Sequence, residues 1–319
     1  MRGACQLLAM PLLAGAVLFV AGCKGGTERA RAEEKGAPEQ GPDAGPDSGV
    51  MLGLRWEPGK SYLFENSTDS QMKMPFPGQG LIDSNSKMSM RVRNDASEHE
   101  KGIKVGTQFE AIRMNVAMSG IVMEYDSEDP AKSGGLIAAV LDPLAKAKFA
   151  TIYSKDGKLL EMEGLESLQA ASQFGFGKAE LEAMTRQSAQ FVPNRKVAVG
   201  ETWKSEVSLP MGGLGGDLTL LYTFTLDAIE EREGKKMARI SLSGKMKEDA
   251  PGEEEKVLKA EARNISGQML FDIALGQPAE ITTSIDLEMA VPDAVPKAEG
   301  APGKMPVKSK SVQRLLKVE

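Results

Sequence analysis

The chain predicts a mainly β fold of the β-rich α+β kind: a curved antiparallel sheet with one or two helices packed on it. Three observations predict this. Much of residues 50–319 alternates apolar and polar side chains at the two-residue period of a strand, and only two stretches carry a helical stripe. The alternating runs are separated by turn signals: Pro58-Gly59, Asp156-Gly157, Glu231-Arg-Glu-Gly234 and Gly276-Gln-Pro278. The turns are short enough to join consecutive strands as hairpins, which makes the pairing antiparallel.

Residues 1–22 have the layout of a secretory signal. Arg2 supplies a positive start, Leu7 to Ala21 is an apolar stretch interrupted by Pro11, and the small Ala21 and Gly22 stand at its end. The stretch is short for a membrane-spanning helix. The run Leu18-Phe19-Val20-Ala21-Gly22-Cys23 resembles the lipobox of bacterial lipoproteins. That resemblance implies cleavage before Cys23, acylation of its sulfur and a membrane tether; Lys24, rather than an acid, follows the anchor and favours the outer membrane. Lys24 to Gly49 holds no aliphatic residue larger than alanine. It buries too little to offset its ordering entropy, and as a flexible coil it spans roughly 28 Å. The expected organisation is therefore a signal over 1–22, an anchor and tether over 23–49, and a β-rich domain over 50–319.

The strands are expected over Lys60–Pro75 and Ser84–Asn94, separated by a Pro75-Phe-Pro-Gly-Gln-Gly80 loop. Two more fall within Lys101–Asp126, at Ile103–Ile112 and Val116–Tyr125. Thr151–Tyr153 and Leu159–Met162 form a short hairpin. Glu201–Leu209 alternates around Trp203, Asp217–Glu230 and Lys236–Met246 flank a turn, and Ile265–Leu275 pairs with Glu280–Val291. The tail Val307–Val318 can close the sheet as a last strand. Helices are expected over Gly135–Lys148, with Pro143 imposing a kink or an early stop, and over Lys178–Gln190. The stretches beginning at Phe149 and Gly267 echo one another weakly, as any two hairpins do.

Composition excludes several classes. Removal of the signal leaves no cysteine beside Cys23, hence no disulfide and no thiolate metal site. Lys plus Arg number 39 against 45 Asp plus Glu, and no basic stripe invites nucleic acid. The one histidine, His99, sits in a polar turn, so neither a Ser-His-Asp triad nor a multi-histidine metal site can be assembled. No cofactor motif stands out. Gly212-Gly-Leu-Gly-Gly216 lacks the Lys-Ser/Thr of a phosphate loop. Ser84-Asn-Ser-Lys87 matches Ser-x-x-Lys, but in a strand rather than at a helix start. The acidic run Glu124–Asp129 lacks calcium-loop spacing and reads as a solvated turn.

Leu54-Arg-Trp-Glu-Pro-Gly-Lys-Ser-Tyr62, Ser154-Lys-Asp-Gly-Lys158 with Glu163-Gly164-Leu165, and Val197-Ala-Val-Gly-Glu-Thr-Trp203 after Phe191-Val-Pro193 together resemble a family of uncharacterised bacterial lipoproteins and secreted proteins. The resemblance covers roughly 54–290. It implies an antiparallel β-rich envelope domain of unknown function and carries over no catalytic residue. Trp56 and Trp203 read as core anchors rather than ligand platforms.

Methionine is overused, at 18 residues. Met72, Met74, Met88 and Met90 form two doublets; a turn centred near Leu81 would set Met72 opposite Met90 and Met74 opposite Met88, with all four thioethers on one face. Such a set suits a half-buried apolar face, an adaptable surface for a lipid or partner, or soft Cu(I). The apolar face is the preferred reading, and these four are the candidate ligand-binding residues. The expected function is non-catalytic: a lipid-anchored cell-envelope protein, with the membrane held through its N-terminal lipid, binding an apolar ligand or a protein partner. The alternatives are a structural or assembly adaptor without a cavity and a hydrolase using carboxylates or Ser/Lys.

Overall fold

The computed structural model describes residues 49–76, 80–155, 157–166, 181–182, 185, 191–210, 217–247, 260–290 and 303–319. The signal, Cys23, nearly all of the tether, the 212–216 glycine run and most of the second expected helix lie outside these; of that helix, residues 181, 182 and 185 are described and helical.

The strands are β1 Val50–Leu52, β2 Ser61–Phe76, β3 Gly80–His99, β4 Gly102–Met118, β5 Ile121–Asp126, β6 Lys148–Tyr153, β7 Leu159–Glu163, β8 Arg195–Val197, β9 Thr202–Pro210, β10 Asp217–Arg232, β11 Lys235–Met246, β12 Ala260–Asp272, β13 Gln277–Ala290 and β14 Lys304–Val318. Among the described residues, one complete helix, α1, spans Gly135–Ala145. Twelve strands form one antiparallel sheet, in the order β7-β6-β4-β3-β2-β14-β13-β12-β11-β10-β9, with β5 also on the edge of β4. The sheet is open rather than closed into a barrel, as the mainly β expectation allowed.

Alternation dictates which face is buried. Along β2, Tyr62, Phe64, Asn66, Thr68, Ser70 and Met72 are buried, while Ser67, Asp69, Gln71 and Lys73 are exposed. The inward face carries the hydrophobic cluster on every long strand. The outward face carries cross-strand charge pairs such as Arg314 with Glu280 at 2.8 Å, the solvated arrangement of an alternating strand. Helix α1 lays Ile137, Ala138, Val140, Leu141 and Leu144 into the cluster and contacts β4 and β5. It continues two residues past Pro143 and stops at Ala145, three residues short of the expected Gly135–Lys148 but holding all of its apolar stripe.

Three expectations are corrected. Val116–Tyr125 is not one strand: β4 runs unbroken to Met118, turns at Ser119 and Gly120, both at positive φ, and returns as β5. Two consecutive positive-φ residues are what a tight two-residue hairpin needs. Pro75 to Gly80 is not all loop: β2 and β3 pair through Phe76 with Gly80. Pairing of β2 with β14 ends at Met72 with Val307, so the N–H that Pro75 lacks is not needed by β14. The tail does not close an edge. β14 lies between β2 and β13, in the middle of the sheet.

Residues 53–56 pack at the end opposite the β2–β3 turn. β1 pairs with β8. The Arg55 guanidinium donates to the carbonyls of Ile273 (2.6 Å) and Ala274 (2.7 Å), and Arg55 N–H to that of Gly276 (2.9 Å). These bonds fasten residues 53–56 to the β12–β13 turn. Gly276 has φ +70°, and a Cβ there would lie 2.8 Å from Arg55 Cβ, so only glycine fits the clasp.

Candidate functional site

The register lays the inward side chains out in rows across the strands, about 6.8 Å apart along the sheet. The row nearest the clasp is aromatic. Trp56 meets Tyr62 edge-on at 4.8 Å and stacks on Tyr153 at 6.4 Å. On the β9–β10 side, Trp203 stacks on Phe224 at 5.5 Å, and its Nε1–H donates to the Phe191 carbonyl at 3.1 Å. Phe191 in turn packs on Tyr222 and Phe224. Both tryptophans are buried and packed into the core, as the core-anchor reading expected.

The four candidate methionines are not brought together. Thr68, not Met74 or Met72, is opposite Met88; Asn66 is opposite Met90; and Met72 is opposite Ser84. Phe76 is opposite Gly80 and Pro75 opposite Leu81, so the register is not centred on Leu81, which shifts every pairing. Met72 thus stands four residues, about 13 Å, along the strand from the level of Met88, too far to share an ion. Met72, Met88 and Met90 do share the inward face and are buried; Met74 pairs with Ile82, and its side chain lies outside the described residues. The grouping that forms instead adds residues from β4 and β5. Met114 is opposite Met88, Met118 opposite Ser84, and Met123 beside Val116. Six methionines, Met72, Met88, Met90, Met114, Met118 and Met123, therefore occupy the inward face of four adjacent strands. Sequence reasoning missed the last three because it read doublets within one hairpin and did not see the Ser119-Gly120 turn. Helix α1 is joined to this patch: Tyr125, opposite Met114, donates to Asp142 Oδ1 at 2.9 Å. Burial, and then the Asp142 carboxylate, push the Tyr125 phenol above its usual range.

A second feature lies where β2 meets β14. Thr68 Oγ1 and Ser311 Oγ share a hydrogen bond of 3.1 Å, and Ser70 Oγ and Ser309 Oγ one of 3.0 Å. Asn66 pairs with Gln313, Ser86 with Ser70, and Thr283 with Ser311. All of these are buried, as is Ser84. A belt of small polar side chains therefore runs over β3, β2, β14 and β13, inside an otherwise apolar face. Asn66 Oδ1 and Ser84 Oγ have no hydrogen-bond partner among the described residues. Leaving such atoms unsatisfied costs about 1–3 kcal/mol each, which valine or alanine would avoid. The sequence signal was present as strands polar at every position over Asn66–Gln71 and at all but Val312 over Lys308–Arg314, which alternation alone assigns to neither face.

The other candidates resolve simply. Ser84 points inward and Lys87 outward, since three residues along a strand reverse the face, so they form no Ser/Lys pair. His99 ends β3, and its Nδ1 accepts the Lys101 N–H at 3.2 Å. In the acidic run, Asp126 is held below the usual carboxylate range by the Glu128 N–H and, against burial, by Arg113; Arg91 and Arg113 both bond Glu128. Asp272, the buried acid of the described residues, caps the β12–β13 turn by accepting Leu275 N–H at 2.8 Å. Two grooves open on the outward face. One of about 490 Å³ crosses β14 to β5 with Asp69, Lys87, Arg113 and Lys310 around it. Another of about 730 Å³ crosses β9 to β11 past Lys204, Glu206 and Lys245. Met88 and Met114 also border the first, but charged side chains line both grooves, so neither is a dry apolar pocket. Among the described residues, no helix is long and apolar enough to cross a membrane.

No curated protein matches the chain. Among solved structures, lipovitellin, described for its lipid–protein interactions, is 10% identical with a TM-score of 0.49; the likeness takes in 83% of this chain and 26% of lipovitellin, so the chain spans about a quarter of that protein's length. DynF from the dynemicin biosynthesis pathway of Micromonospora chersina is 12% identical over 94% of this chain and 97% of its own, with a TM-score of 0.19. A protein of Bacteroides fragilis with a YmcC-like fold, described as exported, is 8% identical over 85% and 99%, with a TM-score of 0.21. At these scores none establishes a shared fold. Residues 166–277, less than half of the chain and including Val197–Trp203 but not Trp56, match a family of unknown function, DUF6263.

Proposed function

We propose that the chain is a cell-envelope protein, tethered through an acylated Cys23 on the periplasmic side of the outer membrane or at the cell surface, that binds an apolar ligand on the inward face of its sheet without transforming it. The observation that carries this reading is the six-methionine patch over β2–β5. Thioether side chains repack around varied apolar shapes more readily than branched ones, which suits a binding surface better than a core that must specify one arrangement. Helix α1, eleven residues long, packs beside the patch through its contacts to β4 and β5.

The test is native mass spectrometry of the chain from residue 23, carrying Cys23→Ser and purified from a bacterial envelope. A discrete extra mass that leaves on denaturation and proves to be lipid supports the reading. A clean protein mass that takes up no lipid when offered refutes it. The outward groove crossed by Asp69, Lys87, Arg113 and Lys310 favours a second reading, an adaptor that docks a polar protein surface there.

A further inference from the structure

The polar belt between β2 and β14 specifies the ligand beyond its being apolar, an inference that rests on the inward-face binding reading. We infer that the inward face selects a lipid with an uncharged, hydroxyl- or ester-bearing headgroup, seated on the belt with its chain over the methionine patch.

Three observations combine. The belt lies beside the patch rather than remote from it: Thr68 is opposite Met88, and Ser84 is opposite both Met72 and Met118. A single amphipathic molecule therefore spans both within one or two rows. Two belt atoms await a partner. Asn66 Oδ1 accepts only, so it asks for a donor such as a hydroxyl; Ser84 Oγ serves a hydroxyl or an ester oxygen equally. Both side chains are more than nine-tenths buried, Asn66 at 8% exposure and Ser84 at 1%. Finally, the belt and the rows around it, from Asn66 to Met72 and across from β5 to β9, present hydroxyl, amide, thioether and hydrocarbon groups inward, and no charged side chain. A carboxylate or phosphate headgroup would enter uncompensated, which a low-dielectric interior penalises heavily. A pure hydrocarbon would leave the belt atoms unpaired. The neutral amphipath alone satisfies both, and specificity of this kind comes from buried polar groups that the wrong ligand leaves without partners.

The experiment titrates the chain from residue 23 with Cys23→Ser against three probes: 1-oleoylglycerol, oleate and hexadecane. The expected result is binding of 1-oleoylglycerol about tenfold or more tighter than of the other two, equivalent to about 1.4 kcal/mol. The advantage should collapse in the Asn66→Leu and Ser84→Ala variants, in which hexadecane no longer leaves those atoms unpaired and should bind more tightly than it does to the parent chain. Equal or tighter binding of oleate or hexadecane overturns the headgroup inference and leaves the binding reading standing. No binding of any probe overturns both. Retained selectivity in Asn66→Leu and Ser84→Ala moves the headgroup off the belt and also overturns the inference.

Discussion

Replacing Trp203 with alanine separates an anchor of the fold from a platform for a ligand. The indole is buried, stacks on Phe224 with rings 9° from parallel, and donates to the Phe191 carbonyl. Truncation to alanine empties an aromatic-sized space, at a cost of about 3–5 kcal/mol. Within that sum the stacked pair accounts for about 0.5–1.5 kcal/mol beyond burial, and the abandoned Phe191 carbonyl for about 1–3 kcal/mol. Trp203→Phe keeps most of the stacking and loses the donor, so it should cost about 1–3 kcal/mol. For a chain of this size, Trp203→Ala then lowers the melting temperature by roughly 6–20 °C. Urea unfolding of both variants, followed by circular dichroism, measures the two costs. If Trp203→Ala costs less than about 1 kcal/mol but abolishes ligand uptake, the indole is a binding platform and the packing argument fails. If the two variants cost the same, the hydrogen bond to Phe191 carries the effect and the stacking does not.

The buried phenols should differ. Tyr222 Oη has no hydrogen-bond partner, so Tyr222→Phe should be neutral or stabilising, whereas Tyr125→Phe should cost about 1 kcal/mol by losing the bond to Asp142. Both phenols are raised above the usual 10, Tyr222 by burial and Tyr125 by burial and then Asp142. Their contribution is therefore complete below about pH 10 and is lost as the unfolded chain ionises above it, and each Phe variant should flatten that alkaline decline in a pH series of denaturation curves. Gly276→Ala should destabilise by more than the roughly 1–2 kcal/mol that positive φ alone costs, because its Cβ meets Arg55; Gly59→Ala, at φ +84° with open space around it, should cost only that strain. Equal losses at the two sites would remove the Arg55 clasp from the account. Cys23→Ser should move the chain from the membrane to the soluble fraction of a cell lysate; persistence with the membrane after a high-salt wash would rule out acylation as the anchor.

The sheet was legible in the sequence where turn chemistry is strong. Glu231-Arg-Glu-Gly234 yields the β10–β11 turn, with Glu233 and Gly234 both at positive φ, and Gly276-Gln-Pro278 marks the β12–β13 turn. Legibility failed where two weak signals competed. Ser119-Gly120 is a turn dipeptide, but the flanking Val116–Met118 and Ile121–Tyr125 run on as one apolar strand pattern. The prolines 75 and 77 suggested a wide loop, yet only three residues separate β2 from β3, and that difference moved the methionine register. The site was less legible than the fold. A methionine patch spread over β2 to β5 depends on pairings between strands, and a belt of serine and threonine looks like solvent-facing strand until the neighbouring rows show which way it points. Trp56 and Trp203 needed no such knowledge: a lone indole beside or at the start of a strand is most economically spent on packing.

The position of β14 has a consequence for how the molecule comes into being. Thr68 and Ser311, bonded across the centre of the sheet, are 243 positions apart. Everything from β2 to β7 forms one sheet edge and everything from β9 to β13 another, and the strand that joins them is the last to be made. Until residues 304–318 arrive, β2 and β13 each present a long unpaired flank, the kind of edge that recruits other chains. Contacts so distant in sequence also form slowly, because the intervening loop must be ordered before they repay it. A chain made from its N-terminus onward thus stays in two unjoined halves until β14 has followed, and any cleavage within β14 would return it to that state.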